Sequence, residues 1–245
     1  PPRSTLFPYT TLFRSDAVPA VFLVVIFASS TIQWATVSSL YARPLMASGA
    51  FAMVLFSIVQ LAGNQFGFDR SGFRNFVLSP APRREILLGK NLSLAPLVLG
   101  LGIIAVTAME VFLPMRVDHI FAVAAQMVSM YLVFSLVANF LSIIAPTPIS
   151  PGSMRPARPK GMTILIHMAF LLVFPLALAP TMIPLGIEFA LGFLGWSTRF
   201  PVYLTFSVIE LAAVAFLYPL ILDRQGALLE KREQRILEVV TTKAE

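Results

Sequence analysis

The chain has no cysteine among its 245 residues, which excludes disulfides and thiolate chemistry and leaves the compartment open. Charge is nearly as scarce. Asp, Glu, Lys and Arg make up only 12% of the residues, about half the share of an ordinary soluble domain, too few to coat a water-soluble globule. Histidine occurs only as His119 and His167, and no His, Asp and Glu grouping has the spacing of a metal site. There is no G-x-S-x-G nucleophile turn. There is no phosphate loop either. Gly89-Lys90-Asn91 comes nearest, but Arg84 stands where such a loop needs its first glycine, and Asn91 stands where it needs Ser or Thr. The chain therefore carries no ATP site of its own. No nucleophile, base and orienting group converge to suggest an enzyme.

Apolar length is what the chain has in excess. Hydrophobic residues are 57% of the total and mean hydropathy is +0.82. Six apolar runs lie near 17–40, 45–64, 92–113, 120–145, 162–184 and 200–222. The first is the weakest, because TIQWATVSS dilutes its second half. Runs of about 20 residues suffice to cross about 30 Å of hydrocarbon as helices. A β-barrel would show short alternating segments instead. The expected fold is an all-α, polytopic transmembrane helix bundle of about six spans.

The placement of the basic residues gives an orientation. Arg70, Arg74, Arg83, Arg84 and Lys90 follow the second run, and Arg155, Arg158 and Lys160 follow the fourth. Arg224, Lys231, Arg232, Arg235 and Lys243 follow the sixth, while the other connections hold only Arg43, Arg116 and Arg199. This alternation puts both termini and the loops 65–91 and 146–161 in the cytoplasm, in a multi-pass protein of the plasma or inner membrane. The net charge of +6 is then a topology signal rather than a nucleic-acid footprint. The opening PPRSTLFPYTTLFRS has neither an initiator Met nor a signal-peptide pattern, and it resembles translated sequencing adapter. Residues 1–15 are accordingly read as non-native, 16–222 as the membrane domain, 223–245 as a cytoplasmic tail, and the chain as a fragment whose N-terminal part is missing.

Polar residues within the spans are few. Glu210, in SVIELAAVAF, costs at least about 2.5 kcal/mol if charged and lipid-exposed, so it must face the bundle, pair or hold a proton. It can line a transport path or carry protons, or it can make a structural hydrogen bond worth about 1 kcal/mol. His167 is the nearest candidate base, but its depth is shallower and no direct pair is expected. Gln126 and Asn139 read as helix–helix glue. Glu110 and Glu188 fall near the outer interface and call for no special role. Pro175, Pro180 and Pro184 break up the outer half of the fifth run, as an outer gate, a re-entrant turn or a kinked exit.

The extramembrane segments are more varied. APTPISPGSMRPARPKG reads as an irregular linker touching anionic headgroups. After Gly226, Leu229, Ile236, Leu237 and Val240 share one helix face, suited to the membrane surface or to a partner. The densest charge is in GFDRSGFRNFVLSPAPRREILLGKN, residues 67–91. Phe73, Phe76 and Val77 cluster at helical spacing, with Arg70 and Arg74 beside them, so a short helix lies flat with its aromatics down. Pro80 and Pro82 stop it, and Arg83, Arg84 and Lys90 stand at the mouth of the third span, free to snorkel or bind lipid phosphate. The segment is a rigid charged elbow, able to take a push from a soluble partner or to serve only as a topology anchor.

That segment resembles the connection between the second and third spans of type-2 ABC exporter permeases. Many of those carry Gly-(Phe/Tyr)-Asp-(Arg/Gly)-x-(Gly/Ala), followed by Leu-x-Ser-Pro-x-x-Arg-x-x-(Ile/Leu)-Leu-x-(Gly/Ala)-Lys. The matching residues are Gly67, Phe68, Asp69, Arg70 and Gly72, then Leu78, Ser79, Pro80, Arg83, Ile86, Leu87, Gly89 and Lys90. REQRILEVVTTKAE also resembles the C-terminal ends of one large-permease branch. The resemblance implies a coupling helix that contacts a separate ATP-binding subunit through Phe68, Asp69, Arg70, Gly72, Phe73, Arg74, Pro80, Arg83 and Arg84. It also implies ATP on that partner, no cofactor on this chain, and a second permease half supplied by a homodimer or by a missing N-terminal half. Elsewhere the likeness is topological only, and no internal repeat links the two trios of spans. The alternative is an ion- or proton-coupled secondary transporter that uses Glu210.

Overall fold

A computed structural model describes residues 41–149, 161–196 and 200–241. The apolar run at 17–40, the stretch 1–15 and the basic residues Arg155, Arg158 and Lys160 lie outside the described residues. What is described is helical, with no β-strand. In chain order the helices are α1 Ala42–Ser57, α2 Val59–Gly63, α3 Gln65–Asp69, α4 Phe73–Leu78, α5 Arg83–Phe112, α6 Val117–Ile144, α7 Gly161–Leu178, α8 Ile183–Phe193 and α9 Val202–Thr241. Single 3₁₀ turns, Arg70–Gly72 and Ala179–Met182, link α3 to α4 and α7 to α8.

Four rods are long and apolar enough to cross a membrane: α5, α6, the α7–α8 pair and α9. At about 1.5 Å per residue, the 30 residues of α5 reach about 45 Å, the full thickness of a bilayer with its headgroups. The fourth-run helix α6 is the centre of the bundle. Some 56% of its most apolar stretch is buried, against 11–22% for the other three rods. The outer rods show large apolar side chains, such as Ile104, Leu172 and Phe216, that only hydrocarbon or another protein can cover. The second apolar run is a bent rod, α1 continuing through Ile58 into α2, with α1 itself only 16 residues long. No Pro or Gly marks that bend in the sequence.

Each end of the bundle is held by its own set of contacts. At one end Arg43 donates a hydrogen bond to Pro114 O, and Glu188 reaches both His119 and the first turn of α9. At the other, Asn64 and Thr147 exchange two hydrogen bonds of 2.8 and 2.9 Å, and Arg232 reaches Ile144 O. One apolar core, with Phe51, Met127, Phe134 and Phe174, fills the middle of the bundle. A second, with Phe66, Phe73, Leu87, Leu222, Leu229 and Ile236, sits under the elbow.

Two features differ from the sequence expectation. The tail is not a separate helix after Gly226 but the continuation of a single 40-residue α9. Its apolar face lies on the chain's own elbow, since Leu229, Ile236 and Val240 are buried with Phe66 and Phe73. Gly226 permits that approach, because a Cβ there would stand 2.8 Å from Arg84 N. The proline-rich stretch, in turn, continues as helix past its prolines, to Phe193. Pro175 lies within α7, Pro180 in the 3₁₀ turn and Pro184 in the first turn of α8. Gln126 of α6 donates to Thr181 O at this break, so the disturbed ladder is met by a side chain of the central helix.

Candidate functional site, the elbow and its clamp

The elbow is built from short pieces because its sequence cannot sustain a long helix. α3 ends at Asp69, and Arg70 turns the chain with φ 51° and ψ −131°, a conformation that costs an L-residue and suits glycine. Gly67 is pressed against the loop after α6, where a Cβ would lie 2.1 Å from Thr147 O. α4 then runs for six residues, Ser79 turns extended, and Pro82 precedes the first turn of α5.

Arg83 closes this turn. Its guanidinium donates to Phe76 O, Val77 O, Ser79 O and Ala81 O at 3.0–3.2 Å. The first two are carbonyls at the end of α4, of which Phe76 O also accepts the Ser79 N–H, so Arg83 adds an outside cap to that helix. Its Nε donates to Glu233 Oε2 at 2.8 Å, tying the turn to α9, with both side chains largely buried. Arg84 meets Asp223 of α9 at 3.2 Å in a half-exposed pair. Two turns further along α5, Asn91 donates to Tyr218 of α9 at 2.7 Å.

Lys90 closes the elbow's other side. Its Nζ lies 2.6–2.9 Å from the Asp69 carboxylate and sits over the rings of Phe66 and Phe76 at 5.4 and 5.1 Å. Burial pushes the Asp69 carboxyl above its ordinary value of 3.8, and the Lys90 hydrogen bond and charge pull the other way.

The predicted elbow residues thus separate into two sets. Phe73 is buried, Asp69 and Arg83 are engaged inside the elbow, and Phe68 and Arg70 are half-buried. Gly72, Arg74, Pro80 and Arg84 are exposed, together with Leu78, which is 72% exposed at the end of α4. The snorkelling expected of Arg83 and Lys90 gives way to internal bonds.

Glu210 and His167 are not brought together. Among the described residues, neither Glu210 carboxylate oxygen, both buried, has a hydrogen-bond partner, and nor does the buried hydroxyl of Ser207 one turn earlier. His167 donates Nδ1–H to Thr163 O in its own helix.

Sequence reasoning missed the cluster at the far end. Glu188 is buried, its Oε1 2.9 Å from His119 Nε2, while its Oε2 accepts the Tyr203 backbone N–H at 2.7 Å. Arg116 adds a 4.0 Å contact and pairs with Asp118. Below it, Gln126 accepts from Ser48 and Tyr203, joining α1, α6 and α9. The available signal was the company Glu188 keeps: a carboxylate on an otherwise bare side of the bundle needs a cationic or N–H partner, and His119 and Arg116 are the nearby choices. Among the described residues no group of His, Asp and Glu is arranged to hold a metal ion. Comparison of the chain with protein-family models, with curated proteins and with solved structures gives no match.

Proposed function

We propose that the chain is the membrane-spanning permease subunit of an ATP-driven type-2 ABC exporter, coupled to a separate ATP-binding subunit through residues 67–91. The reading takes the run at 17–40 and the bent α1–α2 rod as the two further spans of a six-span bundle with cytoplasmic termini. It needs a second permease half, and ATP stays on the partner.

The observation that carries this reading is the closure of the two-part motif on itself. Its first part contains Asp69 and its second ends in Lys90, and these two residues form an ion pair across the elbow. Independent support comes from Arg70. The family pattern allows Arg or Gly there, and that residue is the one non-glycine with positive φ among the described residues. A plain topology anchor needs basic charge only, whereas this segment spends its cations on holding a fixed shape.

The mechanics follow from the clamp. A partner that moves on binding ATP would press on Arg74, Leu78 and Pro80, the outward face of the elbow. Arg83–Glu233 and Arg84–Asp223 would pass that displacement to α9 as well as α5, so both helices move together past α6. The test is a double substitution on the outward face, Arg74→Glu/Leu78→Asp. Surface changes of this kind shift stability by no more than about 0.5 kcal/mol. The expected result is a folded chain that no longer retains or stimulates an ATPase partner. Unchanged retention and transport would count against the reading.

A second reading has one observation of its own. The unpartnered Glu210 carboxylate on α9 suits a proton-coupled secondary transporter. In that case transport proceeds without an ATPase, and Glu210→Gln abolishes it. On the exporter reading, Glu210→Gln leaves ATP-driven transport within about twofold of the parent, since an amide keeps the volume and removes a burden of desolvation.

A further inference from the structure

At the elbow end, between α2, α3 and α5, lies a small cavity of about 150 Å³ lined by Leu61, Gln65, Phe68, Asp69, Lys90 and Ser93. Its chemistry is one-sided. Gln65 is 7% exposed, and its Oε1 is buried with no hydrogen-bond donor. Among the described residues the Asp69 carboxylate is met by Lys90, with acceptor capacity to spare. Ser93 spends its proton on Lys90 O at 2.7 Å, which leaves its oxygen as an acceptor. Lys90, the cation in the wall, is held by Asp69 and two aromatic rings. Acceptors with room for a donor therefore stand at Gln65 Oε1, Asp69 and Ser93, and a ligand that meets them must bring N–H donors. It must also be compact and close to neutral overall, because Asp69 and Lys90 already cancel.

Depth identifies the kind of molecule. Lys90 follows the first residue of α5 by seven positions, about 10 Å along a helix about as long as the whole bilayer is thick. The headgroup layer on each face is about 5–8 Å deep, so the cavity opens where headgroups meet acyl chains. On the same stretch of α5, Leu88, Leu92 and Leu97 are 40%, 68% and 44% exposed, an apolar strip for those chains.

We infer that this cavity binds the primary-ammonium headgroup of a phosphoethanolamine lipid, with Gln65 Oε1 and the Asp69 carboxylate accepting its N–H groups. A choline headgroup has the same phosphate and chains but no N–H to give. A phosphoglycerol headgroup brings a net negative charge beside Asp69. Burial raises the Asp69 pKa, as expected of a carboxylate that one cation only partly compensates. The assignment stands on this cavity alone and does not depend on what drives transport.

The test is native mass spectrometry of the purified full chain, supplied with equal amounts of phosphatidylethanolamine, phosphatidylcholine and phosphatidylglycerol of identical chains. The expected result is retention of phosphatidylethanolamine over phosphatidylcholine by about tenfold, the factor of one charge-assisted hydrogen bond. Gln65→Met keeps the volume and removes the acceptor, and should cut the preference to about twofold while the lipid-free chain stays as stable as the parent. Ser93→Ala, at an exposed position, should lower it by about threefold even if Gln65→Met fails to fold. Equal retention of the two lipids by the parent, or an undiminished preference in both variants, would overturn the assignment. So would displacement of the lipid by millimolar soluble O-phosphoethanolamine, which would reassign the cavity to a free metabolite.

Discussion

The two ends of the bundle hold their charges by opposite means. At the elbow end, three cations each find a separate carboxylate: Arg83 takes Glu233, Arg84 takes Asp223 and Lys90 takes Asp69. At the far end one carboxylate serves several groups, as Glu188 meets His119, the Tyr203 N–H and Arg116. The elbow's ties run from the first turns of α5, two to the distant part of α9 and one to the end of α3, so they join α5, the elbow and α9. The far-end cluster instead fixes the start of α9 to α6 and α8. One end ties three elements together through separate pairs, and the other gathers three elements on one carboxylate.

The largest way to break this contrast is at Arg83. Arg83→Ala removes the Glu233 pair and uncovers the carbonyls at the end of α4, leaving Glu233 largely buried and alone. A loss of about 3 kcal/mol is expected, read as the thermal midpoint of the purified protein, with proteolysis appearing first within residues 67–82. At the far end, Glu188→Gln keeps an acceptor for the Tyr203 N–H and loses only the charge toward His119 and Arg116. It should cost about 1 kcal/mol and leave the elbow resistant to protease. Arg84→Ala is the smallest of the three. Its pair is about half exposed on both sides, and the loss should not exceed about 0.5 kcal/mol and should shrink in high salt. If Arg83→Ala and Arg84→Ala proved equal, the elbow would be anchored by general charge rather than by the carbonyl cage around Arg83.

Much of this was legible in the sequence. The long apolar helices, the short helix near Phe73 and Phe76, and the stops at Pro80 and Pro82 depend on local composition and periodicity. The tail's apolar face at Leu229, Ile236 and Val240 was also visible, but its covering was not, since Phe66 and Phe73 lie more than 150 positions away. The Arg83–Glu233 pair, 150 residues apart, is hidden for the same reason. So is Asp69–Lys90, because a motif does not say that its two parts touch. Glu188 was misjudged because depth alone was considered. Water can serve a carboxylate at an interface, but the fold turns this one inward onto His119, where it needs a protein partner. The bend at Ile58 carries no Pro or Gly, and it arises where the chain must meet Ser142 and Thr147 at the end of α6.

The most direct test of the central claim is affinity purification of the full-length protein from its own membrane, in parent and Arg74→Glu/Leu78→Asp forms, with ATPase activity measured on each eluate. The account predicts a co-purifying ATP-binding subunit and vanadate-sensitive activity with the parent, and loss of both with the variant at an unchanged thermal midpoint. A parent preparation that transports with no ATPase attached, or a variant that keeps its ATPase in full, would contradict it.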